Sequence, residues 1–206
     1  LFACLFAVYA VLAGNFGELR SNHFHAGIDL KTQGVTGQKL FAIAEGYVYR
    51  IRVSANGYGK ALYIHHPEKG ISSVYGHLKA FNDRIASYIK DRQYQNQSFE
   101  IHLFPGKGQF KVKKGDLIGY SGNSGSSNGP HLHFEIRKMD NQHPINPLQY
   151  EFDIIDNIAP KIFNLAVYPR HNKSTINGKN EKLILDAITA HNNHYKIMDE
   201  HQIKLH

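Results

Sequence analysis

"SSNGPHLHFEIR", residues 126–137, is the stretch on which the reading of the fold turns. Taken as a β-strand, its second half alternates: Leu132, Phe134 and Ile136 face one way, and His131, His133, Glu135 and Arg137 the other. The preceding run "GYSGNSGSSNGP" is rich in helix breakers, so the strand starts abruptly at Pro130 and presents its two imidazoles at a rim. Rims of rigid scaffolds are where chemistry concentrates. Alone, the pattern equally fits an exposed polar strand face that happens to bear histidines, with Glu135 an ordinary exposed glutamate or a partner that orients a histidine.

A second constellation lies upstream, in "SNHFHAGIDLKT", residues 21–32. Phe24, Ala26, Ile28 and Leu30 form one apolar face of a strand, and His23, His25, Gly27 and Asp29 the other. In a regular strand His25 and Asp29 stand roughly 13 Å apart, too far to share an ion, so the chain must bend between them, with Gly27 as the candidate. Two imidazoles and one carboxylate leave a tetrahedral ion one open position, the pattern of catalytic rather than structural zinc. Closed sites favour thiolates, and the single cysteine, Cys4, excludes both a cysteine-based zinc site and an internal disulfide.

"HFHAGID" (23–29), "VYGHL" (74–78) and "SGNSGSSNGPHLHFEIR" (121–137), in this order, resemble the lysostaphin/LytM-type zinc endopeptidases. The likeness runs over about residues 14–150 and takes in "GNFGELR", "AIAEGYV", "NGYGKALYIHHPEKG", "VKKGDLIGYSG" and "INPLQY". It implies an all-β, mostly antiparallel fold of the duplicated hybrid motif type, with the site in a groove on one sheet. It implies one zinc ion held by His25, Asp29 and His133, with His131 and His77 as catalytic histidines that do not bind the metal. It also implies the activity: hydrolysis of peptide cross-links in bacterial peptidoglycan, whose peptide stems are the partner, by a secreted, periplasmic or envelope protein. The long form with "GNFGELRSNHFHAGID" resembles proteins of Bacteroidetes-type bacteria, which favours D,D cross-links over glycyl bonds. One departure is length: residues 82–111 replace a short link, and they are expected to contain a helix over 82–97, where Ile85, Tyr88, Ile89 and Arg92 form a stripe. An inserted segment beside a rigid site is expected to wall the substrate groove.

The chemistry of the residues agrees. Zinc lowers the pKa of a bound water toward roughly 7 and polarises a carbonyl. Imidazoles beside it serve the developing charge and the leaving amine. Rival motifs fail: "GSSNG" (125–129) fits G-x-S-x-G but is followed by a proline and a strand instead of a helix. H-E-x-x-H is absent, and a deaminase needs two cysteines. A non-haem iron oxygenase uses the same ligand set but has no evident use for both His77 and His131. A catalytically inactive LytM-like wall-binding module is the other alternative, although such modules typically lack metal ligands and this chain has all five positions. His23, His65 and His66 are read as surface or hydrogen-bonded residues.

Composition bounds the remainder. The 206 residues, 42% hydrophobic, suffice for one core and part of another, and short glycine-punctuated runs read as strands. The formal net charge of +7 suits acidic partners, but the basic residues are scattered and no nucleic-acid module is visible. Residues 1–13 are apolar, too short for a membrane span, and read either as a signal-peptide remnant cleaved after Ala13 or as the first strand. Residues 14–150 are expected to form the peptidase domain, and 151–206 to begin a second, truncated β-rich domain. No motif addresses oligomeric state.

Overall fold

The computed structural model describes residues 10–21, 23–152, 154–155, 161–190, 194–197 and 203–205. The chain divides into two units, Leu1–Asp156 and Asn157–His206. Residues 1–9 of the apolar segment, with Cys4, lie outside the described residues, whereas Ala10–Gly14 is a strand.

In the first unit the elements run β1 (Ala10–Gly14), β2 (Ile28–Lys31), β3 (Lys39–Phe41), β4 (Gly46–Val53), β5 (Lys60–His66), β6 (Ile71–Gly76), β7 (Ala80–Phe81), α1 (Asp83–Asn96) and β8 (Ile101–Leu103). They continue with β9 (Lys111–Val112), β10 (Leu117–Tyr120), β11 (His131–Lys138), β12 (Pro144–Ile145) and β13 (Ile154–Ile155). One large sheet has the order β13-β1-β2-β11-β6-β5-β4-β8, with β12 on β11 and β9 on β4; a small sheet has the order β3-β10-β7. Every pairing is antiparallel except β1 with β13. The fold is thus mostly antiparallel β, with one α-helix among the described residues.

Period-two alternation explains the strands. Ile28 and Leu30 of β2, Leu132, Phe134 and Ile136 of β11, Tyr75 of β6 and Leu62 and Ile64 of β5 all turn inward at zero exposure. They meet Leu40, Ile43, Leu78, Phe81 and Ile118 from the small sheet and its flanks in one core cluster. Each such aliphatic side chain contributes about 1.5–3 kcal/mol when fully buried. His66 also sits in this core at zero exposure, satisfied by the Glu45 carbonyl at 2.9 Å and Ser73 Oγ at 2.8 Å. His65 packs flat on Tyr49, ring centroids 3.6 Å apart.

Helix α1 starts where Asn82 accepts the Ile85 N–H in its side-chain oxygen at 3.0 Å, an N-cap. It ends at Gln97, which adopts a left-handed φ of 47°. Ile85 and Ile89 are its buried residues, and Tyr88 meets Phe110 edge-on at 5.3 Å.

Two local expectations need correcting. Phe24 to Leu30 is not one strand: β2 begins only at Ile28, and Phe24 is 69% exposed. Residues 15–21 and 23–27 instead fold back on each other, with His25 N–H on the Glu18 carbonyl at 2.8 Å and Leu19 bridging Phe24. Glu135 is not an exposed glutamate either; it is wholly buried.

The second unit contains β14 (Asn164–Val167), β15 (Leu183–Thr189) and β16 (Tyr195–Ile197), paired antiparallel in that order. Leu185 and Ile176 are buried there, while Phe163, Leu165, Ile184 and Ile188 remain largely exposed.

Candidate active site

Strand register sets the first contacts. His133 lies opposite Asp29 across the β11–β2 pair and opposite Gly76 on β6; His131 lies opposite Lys31. Directly opposed residues have Cβ atoms about 4.5–5.5 Å apart, so Asp29 and His133 meet without further adjustment. His25 arrives by a different route. The backbone turn through Ala26 and Gly27 swings its ring over the strand end, and Gly27 runs so close to β11 that a Cβ there would stand 2.2 Å from the Phe134 carbonyl oxygen. The result brings His25 Nε2 to 3.1 Å from Asp29 Oδ1, against the roughly 13 Å of a straight strand.

His77 follows β6 in the left-handed region at φ 58°, where a side chain other than glycine's is uncommon. Its N–H is held by the Tyr58 carbonyl at 2.9 Å. That conformation turns its ring beside His131, centroids 4.7 Å apart, and edge-on to His133 at 5.9 Å. Backbone strain of this kind concentrates at functional positions.

The hydrogen bonds around the four imidazoles fix their tautomers. His25 Nδ1 faces the Asn15 carbonyl at 2.8 Å, His77 Nδ1 the Ser124 carbonyl at 2.8 Å and His131 Nδ1 the Gly129 carbonyl at 2.8 Å. A carbonyl only accepts, so in each ring Nδ1 bears the hydrogen and Nε2 a lone pair. His133 is reversed: its Nε2 donates to Glu135 Oε1 at 2.8 Å, which leaves Nδ1 as the lone-pair nitrogen. Three acceptors therefore converge: His25 Nε2 and His133 Nδ1 at 3.0 Å, His133 Nδ1 and Asp29 Oδ1 at 3.0 Å, His25 Nε2 and Asp29 Oδ1 at 3.1 Å. With both rings neutral there is no hydrogen between them, and they repel unless a proton on a ring nitrogen or a cation stands among them. Zinc bonds of about 2.0–2.2 Å in tetrahedral geometry separate ligand atoms by about 3.3–3.5 Å, so the triangle needs to open only slightly to take one. His25, Asp29 and His133 are also the group of ionisable side chains spaced to hold a metal among the described residues.

Electrostatics follow from this packing. Burial pushes the Asp29 carboxyl up, but hydrogen bonds from His133 and His25 outweigh it and hold the group well below the usual carboxylate range. Burial disfavours the His133 imidazolium, yet the bonds to Asp29 and Glu135 prevail and raise its pKa. His77 drops to about 4, chiefly because it is buried, with the positive potential of His131 and His133 adding to the effect; at neutral pH it is an uncharged base. Glu135 falls to about 2, burial being overcome by His133 and Arg137.

Of three partners, Arg20 and Tyr58 went without an assigned role in the sequence reading, and Glu135 takes the histidine-orienting one of its two readings. Glu135 accepts from His133, from Arg137 Nε and from the Tyr58 hydroxyl, whose ring also leans on His133 at 4.6 Å. Its place in "HLHFEIR", two residues past a ligand candidate on the same strand face, was the available signal. Arg20 of "GNFGELR" donates to Asp29 Oδ2 at 2.8 Å and to Glu18 at 3.0 Å, leaving Oδ1 to the histidines. Tyr58 of "NGYG" contributes to the rim.

Over the cluster opens a cavity of about 450 Å3, walled by residues from 13–31, by Gly57 and Tyr58, and by Ser126–Pro130. None of its lining comes from residues 82–111. Helix α1 packs instead against β7 of the small sheet and against β8, the edge strand of the large sheet remote from β2 and β11. The insertion is therefore not a wall of this cavity.

Known proteins resemble this chain over part of their length. The chain is 31% identical over 146 residues to a protein of Neisseria meningitidis serogroup B named DD-carboxypeptidase/endopeptidase Mpg, covering 68% of this chain and 27% of that protein. It is 32% identical over 124 residues to an uncharacterized metalloprotease of Haemophilus influenzae, covering 60% of this chain and 20% of the other. The chain thus spans about a quarter of the length of these curated relatives. Among solved structures, the catalytic domain of the prophage-encoded M23 protein EnpA from Enterococcus faecalis, a mutant form, superposes with a TM-score of 0.52 at 28% identity, covering 72% of this chain and 97% of that one. The model of Peptidase family M23 matches residues 23–97 and 92–147, more than half of the chain and all five of the histidine and aspartate positions described above, and this chain belongs to that family.

Proposed function

We propose that the chain is a zinc-dependent endopeptidase that hydrolyses peptide cross-links of bacterial peptidoglycan, with D,D bonds its target. The single observation that supports this most strongly is the triangle of three lone-pair atoms, from His25, Asp29 and His133, flanked by two further imidazoles whose Nε2 atoms are also unprotonated. A zinc ion held there would supply an acidified water and a Lewis acid for the scissile carbonyl.

The chain's own residues supply the rest. His131 and His77 hold their Nδ1 hydrogens on backbone carbonyls, so each presents Nε2 to the cavity as a proton acceptor. In the hydrolysis, the water oxygen bonds to the carbonyl carbon, the C–N bond breaks, and the proton taken up at an imidazole Nε2 passes to the leaving nitrogen. Glu135 locks the tautomer of His133, and Arg20 occupies the second oxygen of Asp29, so each ligand has an outer partner that orients it. The name of the Neisseria relative, and family membership, support the choice of substrate.

On this reading the protein works outside the cytoplasm, secreted or in the cell envelope. The peptidase domain extends past the expected 14–150 to take in β1 and β13 of the large sheet, and the unit from Asn157 onward is a second domain. All five chemical positions are present, which favours an active enzyme over an inactive wall-binding module, and the paired metal-free histidines favour hydrolysis over iron-dependent oxygenation. Purified protein should bind one zinc per chain and release fragments from isolated sacculi, ending with chelation and returning with zinc. Mass spectrometry of the fragments identifies the bond. Stoichiometric zinc without release of any fragment sinks the proposal in favour of a binding module.

A further inference from the structure

The two walls of the cavity differ in charge. One, from Gly57 to Tyr58 and Ser126 to Pro130, offers neutral hydroxyl and amide groups. The other bears Arg20 and Lys31. Arg20 is already engaged, with Asp29 Oδ2 at 2.8 Å and Glu18 at 3.0 Å. Lys31 is different. It is exposed at the end of β2, on the same strand face as Asp29 and directly opposite His131. Its remaining cross-strand neighbour, Val11 on β1, is apolar. Asp29 does not compensate it, because one oxygen faces the two histidines and the other is taken by Arg20.

We propose that Lys31 receives a free carboxylate borne by the carbon atom bonded to the scissile nitrogen, and so selects the leaving residue. The proposal rests on the reading above, in which His131 serves the leaving nitrogen. In an amino acid the carboxylate carbon lies only about 2.5 Å from the α-nitrogen. Opposed strand residues have Cβ atoms about 4.5–5.5 Å apart, so an ammonium and an imidazole from one such pair address neighbouring atoms of one leaving residue. The ligand class follows: a C-terminal amino acid, or a cross-linked diamino acid whose acylated amine sits beside its own free carboxylate. An amide inside a glycine bridge has no such group and forgoes the contact. A charge-assisted pair of this kind is about twice as strong as a neutral hydrogen bond, and the contact would serve terminal and cross-linking D,D bonds alike.

The test uses the zinc-loaded full chain with two substrates, an acylated D-alanyl-D-alanine peptide ending in a carboxylate and the same peptide ending in a carboxamide. Wild type should favour the carboxylate by about 10- to 100-fold in kcat/KM, mostly through KM. Lys31→Gln should bring the ratio to within a few-fold of one, and Lys31→Glu should invert it, each with zinc content unchanged. If wild type cleaves both equally, or Lys31→Gln retains the preference, the role of Lys31 is overturned while the D,D reading stands. If wild type cleaves neither yet releases fragments from sacculi by glycyl cleavage, the D,D reading and this proposal fall together.

Discussion

The large sheet holds two contrasting regions, one at its middle and one at its β8 edge. At β2, β11 and β6 the outward face is buried and polar, with His25, Asp29, His77, His133 and Glu135 all below a tenth exposed. At β4 and β8, three and four strands or about 14 and 19 Å from β11, the outward face carries solvated residues such as Arg50 and Arg52, and the inserted helix joins the core through Ile85 and Ile89. Both regions interrupt the regular alternation of the sheet, one with chemistry and the other with extra chain. Buried polar groups are costly unless each finds a partner, so the first region is over-determined by hydrogen bonds. An exposed edge is cheaply extended by apolar packing, and such an extension changes stability before it changes function.

The sharpest way to test this contrast is to separate the two histidines of "HLH". His133→Ala should abolish stoichiometric zinc and all cleavage, whereas His131→Ala should retain zinc and lose turnover by roughly 100-fold or more. Metal content and cleavage rate must be measured on the same samples. If His131→Ala loses its zinc while His133→Ala keeps it, the roles assigned from the tautomers are reversed.

A somewhat smaller effect is expected at Glu135. Removing one partner from a buried charged network leaves the others unpaired, and Glu135→Ala should destabilise the metal-free protein by about 3–5 kcal/mol. Its carboxyl titrates near 2 in the folded chain against an ordinary 4.5. The unfolded chain therefore takes up the proton first, and the stabilisation, about 3 kcal/mol, is complete above pH 4.5 and lost as pH falls toward 2. Urea unfolding between pH 6 and 2 should show Glu135→Gln with a shallower acid decline than wild type. The same substitution should weaken zinc binding about 10- to 100-fold, since it loosens the ring orientation of His133. Equal acid declines in the two proteins would remove Glu135 from the network's energetics.

The smallest effect on chemistry belongs to the far edge. Ile89→Ala should cost about 2–4 kcal/mol in urea unfolding, as a large-to-small change at a buried position, with kcat/KM on muropeptides and zinc affinity within about two-fold of wild type. A shift in cleavage specificity without zinc loss would mean that α1 reaches the substrate after all, and the contrast between the two regions would fail.

Much of this was legible in the chain. Alternation in "HLHFEIR" identified strand β11 and its inward Leu132, Phe134 and Ile136, because a period of two is a property of consecutive residues. Helix α1 was equally local: the Ile85–Ile89 spacing gave it a buried stripe, and it spans Asp83–Asn96 as the 82–97 reading implied. The strand over Phe24 to Leu30 was misread for the converse reason. Alternation there is genuine, but hydrogen bonds of Gly17 and Glu18 with His25 hold a fold-back that no short-range pattern encodes.

By itself, then, the sequence determined the elements, their inward faces and the residue types of the candidate site, since these depend on neighbours a few positions apart. Tertiary structure alone decided which lone pairs meet. The register that sets His133 against Asp29, the carbonyls that fix each imidazole tautomer, the burial of Glu135 and the reach of Arg20 to Asp29 Oδ2 all join segments distant in the chain. It also decided that residues 82–111 sit at the remote edge, because the place of an insertion is set by the strand order of the sheet and not by its position between motifs. Hydrogen bonds act over about 3 Å in space whatever the separation along the chain, and that is the physical reason the chemistry of this site became readable only in three dimensions.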